Sequence, residues 1–222
     1  WTTWCAPGHS GASCSANGDA PAANTAEFTS LPTMYFVEYE KGATGSLTVD
    51  CQNSYIYSYS TTGDFTATYL MRAARGSNLQ LAANWQYYSG AIGGNACTSG
   101  NWQSGFSGST MIVGGSITIQ SSTNAVVYIP GYGYVLGMIA NYTPAAWFYS
   151  SASITGPWVE VFQDGAAANL YGFTGPLLHT LTTDGSGNIH IWFAFSGSST
   201  LDTGAGSTPY SPHFREMTIN AP

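Results

Sequence analysis

Charge is what this sequence has least of. Asp, Glu, Lys and Arg make up 7% of its 222 residues, against roughly 25% in an ordinary soluble domain. Four residues are basic (Lys41, Arg72, Arg75 and Arg215), and the net charge is −7. Nucleic-acid binding displaces phosphate counterions with Lys and Arg, so this balance excludes a nucleic-acid partner. The same scarcity excludes polybasic attraction to an anionic membrane. No apolar run reaches the roughly 18 residues of a spanning segment. No stretch keeps a helical period, and there is no Gly-x-Ser-x-Gly elbow, P-loop or dinucleotide fingerprint.

Low charge accompanies disorder when apolar residues are also scarce. Here 44% of residues are hydrophobic and 14% aromatic, which favours a packed core. Polarity is carried by Ser, Thr, Asn, Gln, Tyr and Gly, the residues of strands and tight turns. The fold class expected is therefore all-β.

Cysteine is sparse: Cys5, Cys14, Cys51 and Cys97. Sequence allows three pairings. Cys5–Cys14 with Cys51–Cys97 is favoured, since the first pair encloses a short Gly/Ser loop and the second ties two parts of one module. No C-x-x-C occurs, so neither zinc nor redox chemistry is expected, and no cofactor or metal is assigned. Disulfides imply an oxidising compartment, hence a secreted protein. Asn141-Tyr142-Thr143 is the one glycosylation sequon. The chain begins at Trp1, and the expectation is a removed leader or pro-segment, or a longer precursor.

Residues 1–30 have no periodicity and read as an irregular, disulfide-pinned segment. From 31 to 222 strand patterns dominate, beginning with Thr33–Glu40. Three modules follow, at about 46–90, 112–164 and 172–219. The first contains Ser46–Cys51, Tyr55–Ser60, Thr68–Ala74 and Trp85–Tyr88. The second contains Ser116–Gln120, Ala125–Pro130, Tyr134–Ala140, Ala146–Ser151 and Trp158–Phe162. The third contains Leu177–Thr182, Asn188–Phe195 and His213–Ile219. Turn chemistry separates them at Thr62-Gly63-Asp64, Gly131-Tyr132-Gly133, Thr155-Gly156-Pro157 and Asp184-Gly185-Ser186-Gly187. Modules of this size with three or four antiparallel strands predict β-propeller blades, and a two-sheet sandwich is the alternative. A propeller must close its ring. Three modules and a partial one at 31–46 fall short of five blades, so a companion chain from the same precursor is expected to complete it.

Particular phrases carry a resemblance. Asn53-Ser54-Tyr55-Ile56-Tyr57-Ser58-Tyr59-Ser60, Tyr69-Leu70-Met71-Arg72-Ala73-Ala74-Arg75 and Trp85-Gln86-Tyr87-Tyr88-Ser89-Gly90 with Trp102 resemble one blade of secreted five-bladed propellers. Those families include arabinan-degrading glycoside hydrolases and a group related to endo-D-arabinanases. Phe148–Trp158, ending in Gly156-Pro157-Trp158, is similar to their blade ending. Gly175–His179, Gly187–Phe193 and Tyr210–Met217 look like the closing blade. The resemblance spans roughly 47–219 and implies a five-bladed β-propeller acting on polysaccharide. It places no catalytic carboxylate by motif.

Glycoside hydrolysis needs two carboxyls roughly 5–9 Å apart, one kept protonated by its surroundings. Asp19, Asp64, Asp184 and Asp202 sit in turn-like contexts where backbone bonding accounts for them. Glu38, Glu40, Asp50, Glu160 and Glu216 lie on or beside strands. Asp50 and Glu38 are the expected catalytic pair, with Asp50 at the end of an inner strand. In the last module His179 and His190 are expected close together across their hairpin, with His213 and Arg215 following. His179, His213 and Arg215 are the candidate substrate-positioning groups. Trp1, Trp4, Trp102 and Tyr132 lie in loop contexts; Trp102 is the expected exposed platform for a sugar C–H face. The function expected is a secreted glycoside hydrolase with carbohydrate as its partner. A sugar-binding lectin and a secreted coat protein are the alternatives.

Overall fold

The computed structural model describes residues 33–39, 49–61, 67–79, 81–114, 124–139, 146–164, 177–196 and 212–220. Their regular structure is almost wholly strand, so the chain is all-β. The only helical pieces among the described residues are 3-10 turns at Val49–Cys51, Ala82–Asn84 and Ser99–Asn101.

Strand β1 (Thr33–Tyr39) is bonded along both of its edges. Its first half, Thr33 to Phe36, runs antiparallel to β2 (Tyr55–Thr61), and its second half, Val37 to Tyr39, runs parallel to β7 (Asn124–Ile129). From β2 the chain meanders through β3 (Ala67–Ala74), β4 (Trp85–Tyr88) and β5 (Trp102–Gln103), while β6 (Met111–Gly114) pairs with the start of β3. From β7 it meanders through β8 (Gly133–Ile139), β9 (Ala146–Ser151) and β10 (Val159–Asp164). Together these make one ten-stranded sheet. A separate three-stranded sheet holds β11 (Leu177–Thr183), β12 (Ile189–Ser196) and β13 (Pro212–Ile219). Thr33–Glu40 was expected as part of a partial module; instead β1 is the leading strand of the first meander. Ser46–Cys51 was expected as a strand, but Val49–Cys51 is a 3-10 turn.

Alternation along the strands decides how the meanders pack. In the first, Tyr57, Tyr59, Leu70, Tyr88 and Trp102 face one way, against Val126, Tyr134, Leu136, Met138 and Tyr149 of the second. The intervening residues Val127, Ile129, Val135 and Phe148 face the other way, against Ile191 and Met217 of the three-stranded sheet. The second meander is thus buried on both faces. The outer face of the first carries its own cluster, Met71, Ala73, Trp85 and Tyr87. Such two-sided burial matches the near-continuous apolar character of Val126 to Ile129.

Loops bolt the first two meanders together. The Tyr59 hydroxyl donates to the Ile154 carbonyl, and Thr155 Oγ1 donates to Gly94 O at 2.7 Å. Trp158 of the Gly156-Pro157-Trp158 phrase packs edge-on against Tyr59, with ring centroids 6.0 Å apart. Cys51 and Cys97 form the expected disulfide, with Cα atoms 5.5 Å apart. Cys5 and Cys14 lie outside the described residues, as does Asn141.

The β7–β8 turn shows how tight this packing is. Gly133 has φ 117°, and a Cβ there would sit 2.5 Å from the Ser151 carbonyl oxygen on β9. Gly131, at φ 80°, faces open space. Gly133→Ala is expected to cost roughly 2–3 kcal/mol, a melting temperature lower by roughly 5 °C or more. Gly131→Ala should cost clearly less, and calorimetry of the two variants checks the order.

Candidate active site

At one end of the seam between the first two meanders, a carboxylate is surrounded by tyrosines. Asp50 lies in the turn before β2, not at the end of a strand as expected. Tyr134 donates its hydroxyl to Asp50 Oδ2, and Tyr57 donates its hydroxyl to the Asp50 carbonyl. Tyr39 stands edge-on to Tyr134, with ring centroids 6.4 Å apart, and Tyr128 packs against both. β1, β2, β7 and β8 each contribute one ring, because the strands end or begin together here. Tyr39, Tyr55 and Tyr128 are half-buried, whereas Tyr57 and Tyr134 are fully buried.

Burial raises the Asp50 carboxyl above its ordinary value, and the Tyr134 hydrogen bond pulls the other way. Burial dominates because a charge taken from water loses more than one neutral donor returns. Burial likewise pushes the Tyr57 phenol up to about 12 and raises Tyr39 and Tyr134 further, so all three stay protonated. The arrangement is a half-buried carboxyl among neutral phenols. It can hold its proton to higher pH than a free carboxyl, give it up, or accept hydrogen bonds from a hydroxylated ligand.

The backbone at this point is unusual. Asp50 and Cys51 are both left-handed, at φ 54° and 58°. For residues with a Cβ this costs roughly 1–2 kcal/mol each. Asp tolerates the region; Cys has no such excuse and is held there by its disulfide and by Ser54, whose N–H bonds the Cys51 carbonyl at 2.9 Å. Arg75 Nε donates to the next carbonyl, that of Gln52.

Behind the tyrosines sits Arg72, 1% exposed. Its guanidinium is stacked between Tyr55 and Trp102, 3.9 and 4.2 Å from the ring centroids. Nε donates to Gln86 Oε1 at 2.9 Å and a terminal nitrogen to Ala96 O at 3.1 Å. Its planar cation is satisfied by π faces and carbonyls, with no carboxylate paired to it among the described residues. Trp102, expected in an exposed loop, is buried against Tyr57 and Tyr88 and donates Nε1–H to Ala96 O at 2.8 Å. As a wall of the core it offers no open face to a sugar.

Glu38 is opposite Val127 in the parallel β1–β7 ladder, one residue before Tyr39. His179, His213 and Arg215 lie on the three-stranded sheet, and the side chains of all four are outside the described residues. In the register there His179 is opposite Trp192, two residues along β12 from His190, which is itself opposite Thr182 and Thr218, and His213 is opposite Phe195. The bulge between His179 and Leu181 and the long β12–β13 ladder spread these positions along the sheet. His190 instead binds two acids, with Nδ1 2.6 Å from Glu216 Oε1 and Nε2 3.3 Å from Asp184 Oδ2. Asp184 also caps its own turn, accepting the backbone N–H groups of Ser186 and Asn188 at 2.8 and 3.0 Å, as its turn context predicts.

The family model for a domain of unknown function, DUF5005, matches residues 18–164, about two thirds of the chain. The chain belongs to the DUF5005 family. The DUF5005 match ends on the last residue of β10 and takes in both meanders and the whole Asp50 cluster; the three-stranded sheet lies beyond it. Neither a curated protein nor a solved structure matches the chain.

Of this cluster, sequence reasoning named Asp50 and missed Tyr39, Tyr57, Tyr134 and Arg72. The spacing of Tyr55, Tyr57 and Tyr59 does place those three on one strand face, but Tyr134 reaches Asp50 from a strand 84 positions away.

Two pH responses follow from these environments. Asp50 has a raised folded-state pKa, so its contribution to stability is complete below the ordinary value of 3.8 and is lost as pH rises through the raised one. Asp50→Asn should remove that decline and leave the protein at least as heat-stable as the parent at neutral pH, as measured by melting temperature across pH 3–8. His190 is also raised, first by its bond to Asp184 and then by Glu216. Its contribution is present below about 6.5 and fades as pH rises through the raised value. His190→Ala should flatten that limb, and proton NMR of the imidazole reports the pKa directly.

Proposed function

We propose that this DUF5005 chain is a secreted, carbohydrate-active protein built from β-propeller blades, with glycoside hydrolysis at Asp50. One observation carries the chemistry: Asp50 is a half-buried carboxyl with a raised pKa, clasped by a buried tyrosine hydroxyl. That is the environment of a carboxylic acid meant to donate its proton to a leaving oxygen. Glu160, Asp184 and Glu216, the other acids whose side chains are described, are exposed. The half-buried rings of Tyr39, Tyr55 and Tyr128 supply aromatic surface for sugar C–H faces. Glu38 remains the proposed second carboxyl on account of its position beside Tyr39. The substrate-positioning roles of His179, His213 and Arg215 rest on the resemblance of the closing module alone.

The blade reading draws on three features. The first strands of the three meanders are neighbours, β7 lying beside both β1 and β11. Successive meanders stack face on face, and the middle one is covered on both sides. A two-sheet sandwich would leave each sheet one solvated face. Secretion is supported by the Cys51–Cys97 disulfide. A companion chain from the same precursor supplying further blades remains part of this proposal.

A non-catalytic sugar-binding module is the second reading, favoured by the lack of a second carboxylate beside Asp50 among the described side chains. A polysaccharide panel separates the two. Hydrolysis predicts release of reducing sugar that drops roughly 100-fold or more in Asp50→Asn. Retained glycan binding with no turnover by the parent protein would favour the binding module. Neither activity would sink the carbohydrate assignment.

A further inference from the structure

The disulfide and the candidate acid are adjacent in sequence, and the structure makes them mechanically continuous. Cys97 is the fixed end. Its N–H bonds Asn95 Oδ1 at 2.7 Å, and the carbonyl of its neighbour Ala96 accepts hydrogen bonds from both Arg72 and Trp102 in the core. Cys51 is the held end, left-handed like Asp50 before it. On its other side the chain is anchored by Arg75 at the Gln52 carbonyl and by the Ser54–Cys51 turn bond. Among the described residues one further contact restrains the Asp50 backbone, the hydroxyl of Tyr57 on its carbonyl. Without the bridge, the Ser54 turn bond alone is left to hold Cys51 against its preference for extended backbone, and release there rotates Asp50 away from Tyr134.

We propose that the Cys51–Cys97 disulfide is the positioning element of the Asp50 carboxyl, so that a dithiol reductant switches the site off. Resting on the reading of Asp50 as the working acid, this adds a redox condition to that site. The step is thiol–disulfide exchange. One reductant thiolate attacks a bridge sulfur to give a mixed disulfide, and the second closes the reductant into its own disulfide. Two electrons and two protons pass to Cys51 and Cys97, which become thiols. Asp50 then samples the extended backbone favoured by a non-glycine residue at position 51, and its carboxyl moves into water. Among the described residues, the titratable groups coupled to it are Tyr39 on β1, Tyr57 and Tyr59 on β2 and Tyr134 on β8. The tyrosines stay neutral through the range concerned, so the change reports Asp50 itself.

The experiment is a carboxyl carbon NMR titration of the whole chain, with Asp50→Asn identifying the resonance. It is run oxidised, in excess dithiothreitol, and as Cys51→Ser/Cys97→Ala, in which residue 51 keeps its Cβ but the tether is gone. The expected result is a fall of the Asp50 pKa towards the ordinary carboxylate value in both unbridged forms. Near-UV circular dichroism of the aromatic core should be retained. An unchanged pKa in a folded unbridged form overturns the proposal. So does loss of the near-UV signal in both, which would make the bridge a staple for the whole fold. Because the readout is a pKa, the positioning claim is judged even if no polysaccharide is cleaved. Absence of turnover by the oxidised protein counts against the glycosidase reading alone.

Discussion

Strand β1 is the member on which the rest of the structure depends. Its first half closes the first meander through β2 and its second half opens the second through β7. A strand has two edges, and twist carries it from one neighbour to the next as it advances. Spending both edges on different meanders joins two antiparallel units into one sheet. It also brings Tyr39, at its end, to the point where Tyr57, Tyr128 and Tyr134 converge. Without that double pairing the seam between the meanders would have no common origin, and Asp50 would face solvent.

The seam itself solves a problem set by composition. With few charges available, the polar groups that are paired in the interior are matched by hydroxyls, amides and carbonyls. Arg72 is the sharpest instance: a buried cation held between Tyr55 and Trp102 and tied to Gln86 and Ala96. Removing its aromatic faces would leave a charge in low dielectric with few acceptors, which is far costlier than exposing a tyrosine. Trp102 therefore belongs to the core although sequence context put it in a loop. Its indole is needed by Arg72 on one side and by Ala96 on the other.

The candidate site inherits its properties from this packing. Asp50 is the one described carboxylate reached by a buried tyrosine, and burial raises its pKa against the pull of that same tyrosine. The His190 cluster shows the opposite case. Asp184 accepts two backbone N–H groups, a side-chain amide and His190, and its carboxyl is drawn down to about 2. Solvent reaches both partners, so this trio trims one hairpin and has no bearing on the interior.

Much of the architecture was legible from sequence because it follows from local chemistry. Strand periods, the Gly131–Gly133 and Asp184–Gly187 turns and the all-β class come from neighbouring residues and their backbone preferences, which a short window contains. The Cys51–Cys97 pairing was favoured on modular grounds and is formed. What the sequence did not contain was adjacency at long range. Nothing local says that β1 pairs with β7, that His179 and His190 are offset along their hairpin, or that Tyr134 meets Asp50. Register and face-to-face stacking are collective outcomes of burying every apolar row at once, so they exist only when the whole chain is folded. Scarcity of charge thus determined what kind of interior this protein has, and tertiary packing alone decided which carboxylate would be enclosed in it.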